Sequence, residues 1–158
     1  MPIPSRPWQF IGMDFLMPIP KSKNEHNAIL VIVDRLIKMA HFISTTDKVT
    51  AKETAELFLQ NVFRYHGLPD DIVSDCDPRF TSYFWKSLHK ILGIKLLLFT
   101  AEHPQTDGQS EATVKIVQKL IRPFAFQEQD WETLLPSLEF AYNDIQQFMT
   151  GQTPFYLN

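Results

Sequence analysis

Hydrophobic residues in the first third of the chain follow the pattern of strands. Apolar runs at residues 8–17 and at Ala28–Asp34 predict two strands. The second is rich in β-branched residues without polar alternation, which is typical of a strand buried on both faces. Residues 39–45 alternate weakly, and the gap before them has room only for a tight turn. We therefore predict an antiparallel hairpin in which this third strand pairs with the second.

Helical spacing begins near residue 50. Thr50 and Glu53 have the spacing of a capping box, in which each side chain binds the backbone N–H of the other residue. Apolar residues recur behind them at intervals of three and four, and Gly67 is placed to end the helix.

The rest of the chain continues with alternating elements. The pattern predicts short strands at 72–75 and 94–99, helices at 81–92, 109–122 and 131–147, and a polar loop at 101–108. Pro123 is expected to end the helix before it. Three strands in a meander followed by strand–helix–strand crossovers indicate an α/β fold, with a mixed five-stranded sheet and helices on both faces.

Length and composition narrow the class of protein. The 158 residues suffice for one domain, expected at residues 8–158 behind an extended, proline-rich linker arm at residues 1–7. No apolar run approaches the roughly 20 residues that span a bilayer, and no secretory leader is visible, so no membrane partner is expected. Cys76 is the only cysteine, which excludes an internal disulfide and favours an intracellular setting. The net charge of −3 argues against binding nucleic acid by charge alone.

Three carboxylates stand out by their positions. Asp14 lies inside an apolar strand, where an unpaired charge is costly, so it should pair with a cation or bind a metal. Asp75 ends a predicted strand, where ligand sites in α/β sheets tend to lie. Glu111 is in the first turn predicted for its helix, where an acid also stabilises the helix dipole. Each has an ordinary explanation when it is taken alone.

Longer motifs connect these three residues. The stretch HPQTDGQSE at residues 103–111 resembles the loop-to-helix motif of integrases from gypsy-type LTR retrotransposons. Shorter stretches resemble the same family: MDF at 13–15, VDR at 33–35, HGLP at 66–69, SDCDPRF at 74–80 and FAYN at 140–143. Between Asp75 and Glu111 lie 35 residues, the spacing that names the Asp, Asp, 35, Glu class, to which retroviral integrases also belong.

The resemblance implies an RNase H-like fold and a metal-dependent polynucleotidyl transferase. Asp14, Asp75 and Glu111 would hold two Mg²⁺ or Mn²⁺ ions, Asp14 bridging both, and carboxylates suit such hard ions. The enzyme would trim the 3′ ends of element DNA and join them to target DNA, which places its action in the nucleus. A homodimer through the core is expected. The flanking integrase domains, which supply most of the DNA affinity in the family, are expected to be absent from this chain.

Other residues have weaker claims. Asp77 competes with Asp75, but the 35-residue spacing selects Asp75. Asp34 is interpreted as structural. Possible DNA contacts are Gln105, Asp107 and Gln109 in the predicted loop and Lys115, Lys119 and Arg122 on the following helix. These three basic residues share a predicted helix face with Glu111 and Gln118, opposite Val114, Val117, Leu120 and Ile121; an ordinary solvated face with a Glu111–Lys115 pair is the alternative.

The chain also departs from the family pattern near the expected site. Glu102 replaces a usual aromatic residue, Cys76 a frequent Arg, Ala112 a common Arg and Val114 a usual Asn. These changes keep an alternative open: an integrase-derived domain that binds DNA or protein but catalyses weakly or not at all. An RNase H-like nuclease of unrelated role is a third, more distant possibility.

Overall fold

The computed structural model describes residues 6–67, 69–74, 95–98 and 104–150; within these ranges, the side chains of 95–98, 104–112 and 150 are not described. The strands are β1 (Phe10–Leu16), β2 (Ala28–Asp34), β3 (Ala40–Thr45), β4 (Asp71–Ser74) and β5 (Lys95–Leu98). The helices are α1 (Ala51–Phe58), a π-helical turn (Leu59–Phe63), α2 (Arg64–His66), α3 (Pro104–Gln127) and α4 (Trp131–Thr150). The helix predicted at 81–92 lies outside the described residues.

The described strands form one mixed sheet in the order β3-β2-β1-β4-β5. The hairpins β1–β2 and β2–β3 are antiparallel, with Asp14 opposite Val31 and Val31 opposite Phe42. β4 pairs with β1 in parallel, and Met13 opposite Ser74 is the last pair of that ladder. The predicted α/β class is confirmed, and β2 is buried along its whole length as its apolar run predicted.

Helices cover both faces of the sheet. Because successive strand side chains point to opposite faces, Leu30 and Ile32 of β2 pack with Ala55 and Phe58 of α1. Their neighbours Ile29, Val31 and Val33 belong to the core on the other face, with side chains from α3 and α4. In the described part of the chain, no helix has the length and apolarity that crossing a bilayer requires.

The predicted capping box at the start of α1 is confirmed. The Glu53 amide donates to Thr50 Oγ1 at 3.1 Å, and the Thr50 amide donates to Glu53 Oε1 at 3.1 Å. Gly67 follows α2 with φ of 77°, a left-handed conformation that favours glycine. The π-helical turn between α1 and α2 was not predicted.

Helix α3 differs from its prediction at both ends. It begins at Pro104 rather than at Gln109, so the expected polar loop is partly helical, and it continues through Pro123 to Gln127. Proline is tolerated in the first turn, where its missing N–H would lack a partner in any case. Pro123 lies on the exposed side of α3, where water can satisfy the carbonyl that it leaves unbonded, while Ile121 and Ala125 stay buried.

Helix α4 closes the open edge of the sheet at β3. The Asn143 side chain accepts from the Ala40 amide at 2.7 Å and donates to the Ala40 carbonyl at 2.9 Å. Glu139 Oε1 accepts from the Phe42 amide at 2.6 Å. An edge strand otherwise presents unpaired backbone groups to other chains, so these side chains satisfy β3 and fix α4 beside it.

Candidate metal centre

Asp14 lies in the middle of the central strand and points toward α3. Its neighbours Met13 and Phe15 pack on the α1 side, whereas Leu16 packs on the α3 side. By strand alternation Asp14 shares the face of Leu16. The residue is 6% exposed, and its Oδ1 accepts from the Phe15 amide at 2.8 Å. A carboxylate is therefore held inside the sheet with one oxygen directed away from its own backbone.

Lys115 of α3 supplies the cation that this carboxylate requires. Its Nζ donates to Asp14 Oδ2 at 2.9 Å, and the Asp14 side chain is 9% exposed against 49% for the lysine. The sequence left open whether Asp14 pairs with a cation or binds a metal, and the structure contains the cation pair.

Gln118 fixes the same helix to the same strand. Its Nε2 donates to the Phe15 carbonyl at 3.1 Å, and the residue is 7% exposed. The expectation that Gln118 belongs to the solvated face of α3 is therefore wrong. Leu120, expected on the helix face opposite the basic residues with Val114, Val117 and Ile121, is 59% exposed. The buried side of α3 is formed by Val114, Val117, Gln118, Ile121 and Ala125.

Of the other two expected ligands, the structure describes only the backbone of Glu111. Glu111 lies in α3 one turn before Lys115, and its side chain is outside the described residues. Asp75 follows Ser74 in the sequence and, like its rival Asp77, lies outside the described residues altogether. Among the side chains that are described, no three His, Cys, Asp or Glu residues form a metal-binding group. The predicted triad stays a prediction.

The expected DNA contacts all lie on α3. Gln105, Asp107 and Gln109 are in its first turns rather than in a loop, and their side chains are outside the description. Lys115, Lys119 and Arg122 form a basic stripe along α3, and Lys119 and Arg122 are exposed to solvent. The Arg122 guanidinium lies 5.8 Å from the Phe126 ring centroid.

Of the four residues that depart from the family pattern, Val114 alone has a described side chain. Val114 is 3% exposed within the core cluster, so the side chain at this position faces the core and not solvent. Cys76 and Glu102 lie outside the described residues, as does the side chain of Ala112.

Asp34 has the structural role expected of it. It is fully buried, and its carboxylate accepts from the Trp8 amide at 2.6 Å and the Ile37 amide at 2.7 Å. Burial raises the pKa of the Asp34 carboxyl above its ordinary value, although these amide hydrogen bonds act in the opposite direction. The residue anchors the β2–β3 turn and the chain entering β1.

Sequence reasoning missed a cluster of three rings on the α1 side. Trp8 stacks on His66 with ring centroids 4.1 Å apart and on His41 with centroids 4.9 Å apart. Burial, aided by the charge of His41, lowers the pKa of His66 to about 4. No local motif joins these residues, since Trp8, His41 and His66 are distant in sequence.

Known proteins similar to this chain are transposon polyproteins. The Tf2-3 and Tf2-4 polyproteins of Schizosaccharomyces pombe are each 37% identical to it over 157 residues, which are 98% of this chain and 12% of the polyprotein. The chain thus spans about an eighth of the length of these relatives. No protein-family model matches the chain.

Solved structures with a similar fold are retroviral. The bovine immunodeficiency virus (BIV) integrase catalytic core gives a TM-score of 0.54 at 22% identity, over 81% of this chain and 80% of that one. The HTLV-2 integrase catalytic core in complex with magnesium gives 0.55 at 23% identity, over 76% and 74%. A chain of the simian T-cell lymphotropic virus intasome with PP2A regulatory subunit B56 gamma gives 0.57 at 21% identity, over 75% and 41%. Identities this low establish the fold alone.

Proposed function

We propose that this chain, a homologue of gypsy-type Tf2 polyproteins with the fold of retroviral integrase catalytic cores, is the metal-dependent polynucleotidyl transferase core of a retroelement integrase. It would process the 3′ ends of element DNA and join them to target DNA. The observation that carries the proposal is the buried Asp14 carboxylate, which faces the helix that bears Glu111.

The Asp14 environment fits a divalent cation. Its Oδ2 already binds the Lys115 ammonium at 2.9 Å, so this oxygen is directed at a position that a cation can occupy. Carboxylate oxygens are preferred ligands of Mg²⁺ and Mn²⁺. We assign Asp14, Asp75 and Glu111 as catalytic metal ligands for two such ions.

Two features of the backbone support this set. The parallel ladder of β1 and β4 ends at the pair Met13 and Ser74, the residues that immediately precede Asp14 and Asp75 in the sequence. One helical turn separates Glu111 from Lys115, the residue that contacts Asp14. When bound, two ions supply charge stabilisation at the attacking and leaving oxygens of a phosphoryl transfer.

The basic stripe of α3 suits the phosphates of a DNA end. Lys115, Lys119 and Arg122 follow one another at helical spacing beyond Glu111. Gln105, Asp107 and Gln109 precede it on the same helix and are assigned as further contacts. Three phosphate contacts give weak, salt-sensitive binding, so DNA affinity would depend on other parts of a longer polyprotein. Such a protein acts in the nucleus when it joins DNA to a host chromosome.

The solvent-facing side of α4 supports a homodimer. Phe140, Ile145, Phe148 and Met149 are 74%, 56%, 87% and 74% exposed. An apolar surface of this kind commonly marks a protein interface. The related HTLV-2 core is described as a dimeric form.

An integrase-derived domain with little activity is the second candidate. Glu102 favours it, because an acidic side chain in place of the family's aromatic residue near the DNA end would repel phosphate.

A disintegration assay distinguishes the two candidates. This reaction reverses strand transfer on a branched DNA, and Mn²⁺ serves as the divalent ion. We expect activity in the wild type and a loss of at least roughly 100-fold in Asp75→Asn, since each tenfold step corresponds to about 1.4 kcal/mol of transition-state stabilisation. Glu56→Gln, at an exposed carboxylate on α1, is the matched control and should stay active. A wild type without activity that still binds Mn²⁺ would favour the binding domain.

A further inference from the structure

The ion pair of Asp14 and Lys115 lies where the proposed metal centre would form. We propose that Lys115 is a positioning residue that neutralises Asp14 while no divalent ion is bound and is displaced from it when an ion binds. The displaced ammonium would then join the exposed basic stripe and contact DNA phosphate. This inference rests on the proposed function and adds an exchange of cations at the same oxygen.

The two oxygens of Asp14 have different partners. Oδ1 accepts from the Phe15 amide at 2.8 Å, a bond fixed by the strand backbone. Oδ2 accepts from Lys115 Nζ at 2.9 Å. A divalent ion bound to Oδ2 at about 2 Å would face this ammonium at close range. The repulsion is poorly screened because the carboxylate side chain is 9% exposed, so the ion and the ammonium compete.

Asp14 needs one of the two cations at all times. A buried carboxylate without a counter-ion is destabilised by the loss of hydration. Lys115 meets this need before a metal arrives. Removing the lysine should therefore lower the stability of the metal-free protein and raise its affinity for the metal ion. If the lysine only supported the metal site, its removal would lower both the stability and the affinity.

Lys115 can leave without opening the core. Half of its side chain is exposed, so a rotation of its flexible stem brings the ammonium into water. Helix α3 has other attachments to the sheet, because Gln118 binds the Phe15 carbonyl and Val114, Val117 and Ile121 are buried. The helix that bears Glu111 therefore stays in place during the exchange.

A calorimetric titration of the protein with Mn²⁺, in the absence of DNA, tests whether the metal ion and the Lys115 ammonium compete for Asp14. We expect Lys115→Gln to bind Mn²⁺ roughly tenfold more tightly than the wild type, since a repelling charge is gone. In EDTA the same variant should unfold about 4 °C lower, and saturating Mn²⁺ should remove most of this difference. Lys52→Gln, an exposed lysine on α1, should match the wild type in both measurements.

Asp14→Asn separates failure of this inference from failure of the proposed function. If Asp14→Asn and the wild type bind Mn²⁺ equally, the metal centre itself is overturned, and the inference with it. If Asp14→Asn loses Mn²⁺ affinity while Lys115→Gln binds like the wild type, the metal centre stands and the cation exchange is overturned.

A measurement on the wild type covers the case in which Lys115→Gln does not fold. The side-chain ammonium of a lysine held by a carboxylate is observable by ¹⁵N NMR in EDTA, and the signal can be assigned with Lys115→Arg. We expect saturating Mg²⁺ to shift or remove the Lys115 signal. A signal that is unchanged while Mg²⁺ binds would overturn the exchange.

Discussion

The Nε2 atoms of His41 and His66 lie 2.9 Å apart, and the centroids of their rings lie 5.2 Å apart. The difference between these distances is about the diameter of one imidazole ring, so the two nitrogens point almost directly at each other. One nitrogen must donate and the other accept, which leaves room for a single proton between them. The rings do not converge on a shared third point, as ligands of one metal ion would.

This relationship predicts that the fold is destabilised in mild acid. The pKa of His66 is lowered from 6.5 to about 4, mainly by burial and further by His41. Between these values the unfolded chain binds a proton that folded His66 does not, so stability falls as the pH drops from about 6.5 toward 4. The loss should be on the order of 2 kcal/mol in urea unfolding. His66→Gln should flatten this slope, and an unchanged slope would contradict the assignment.

Substitution of Asp34 should lower the stability of the fold at neutral pH by more than the protonation effect of His66 does in acid. Asp34→Ala removes the acceptor of two buried amides, those of Trp8 and Ile37. Unsatisfied buried donors cost about 1–3 kcal/mol each, so the free energy of unfolding should fall by about 3 kcal/mol. Asp34→Asn keeps one carbonyl acceptor and should lose less. Asp144→Ala, at an exposed position of α4, is the control. Equal denaturant midpoints for Asp34→Ala and the wild type would refute the structural role of Asp34.

The parts of the fold that were predictable depend on local signals. The capping box of Thr50 and Glu53 and the uniform run of β2 each carry their explanation within a few residues. The extent of α3 was not predictable, because the penalty of Pro123 depends on which side of the helix faces water. Whether an amide such as Gln118 is buried depends on a backbone carbonyl that only the folded sheet supplies.

In the candidate site, too, local sequence predicted some features, whereas contacts between residues distant in sequence were not predictable. The position of Asp14 within an apolar strand was enough to predict that a cation must accompany it. Lys115 as that cation was not predictable, because the two residues lie 101 positions apart in sequence. The assignment of Asp75 and Glu111 still depends on motif and spacing, and it stays a prediction.

Asn143 predicts how the sheet edge is protected. Asn143→Ala removes both hydrogen bonds to Ala40, so the free energy of unfolding should fall by about 1–2 kcal/mol. Hydrogen exchange should accelerate at the Ala40 amide. Asn143→Asp keeps the acceptor for this amide and loses the donor to the Ala40 carbonyl, so protection of the amide should largely persist. Equal exchange rates in Asn143→Ala and the wild type would show that α4 does not protect this edge.

The exposed side of α4 gives a prediction about assembly. Phe148 and Phe140 are 87% and 74% exposed, and a lysine placed there would bring a charge into any apolar interface. Sedimentation of the wild type should show a dimer that Phe148→Lys and Phe140→Lys weaken at least roughly tenfold, since charged groups are disfavoured at interface centres. The thermal midpoint of the dissociated protomer should hardly change, because neither ring contributes to the core. Leu36→Lys, at a partly exposed leucine in the β2–β3 turn, is the matched control and should dimerise normally. A wild type that stays monomeric at high concentration would remove the proposed dimer and leave the metal centre unaffected.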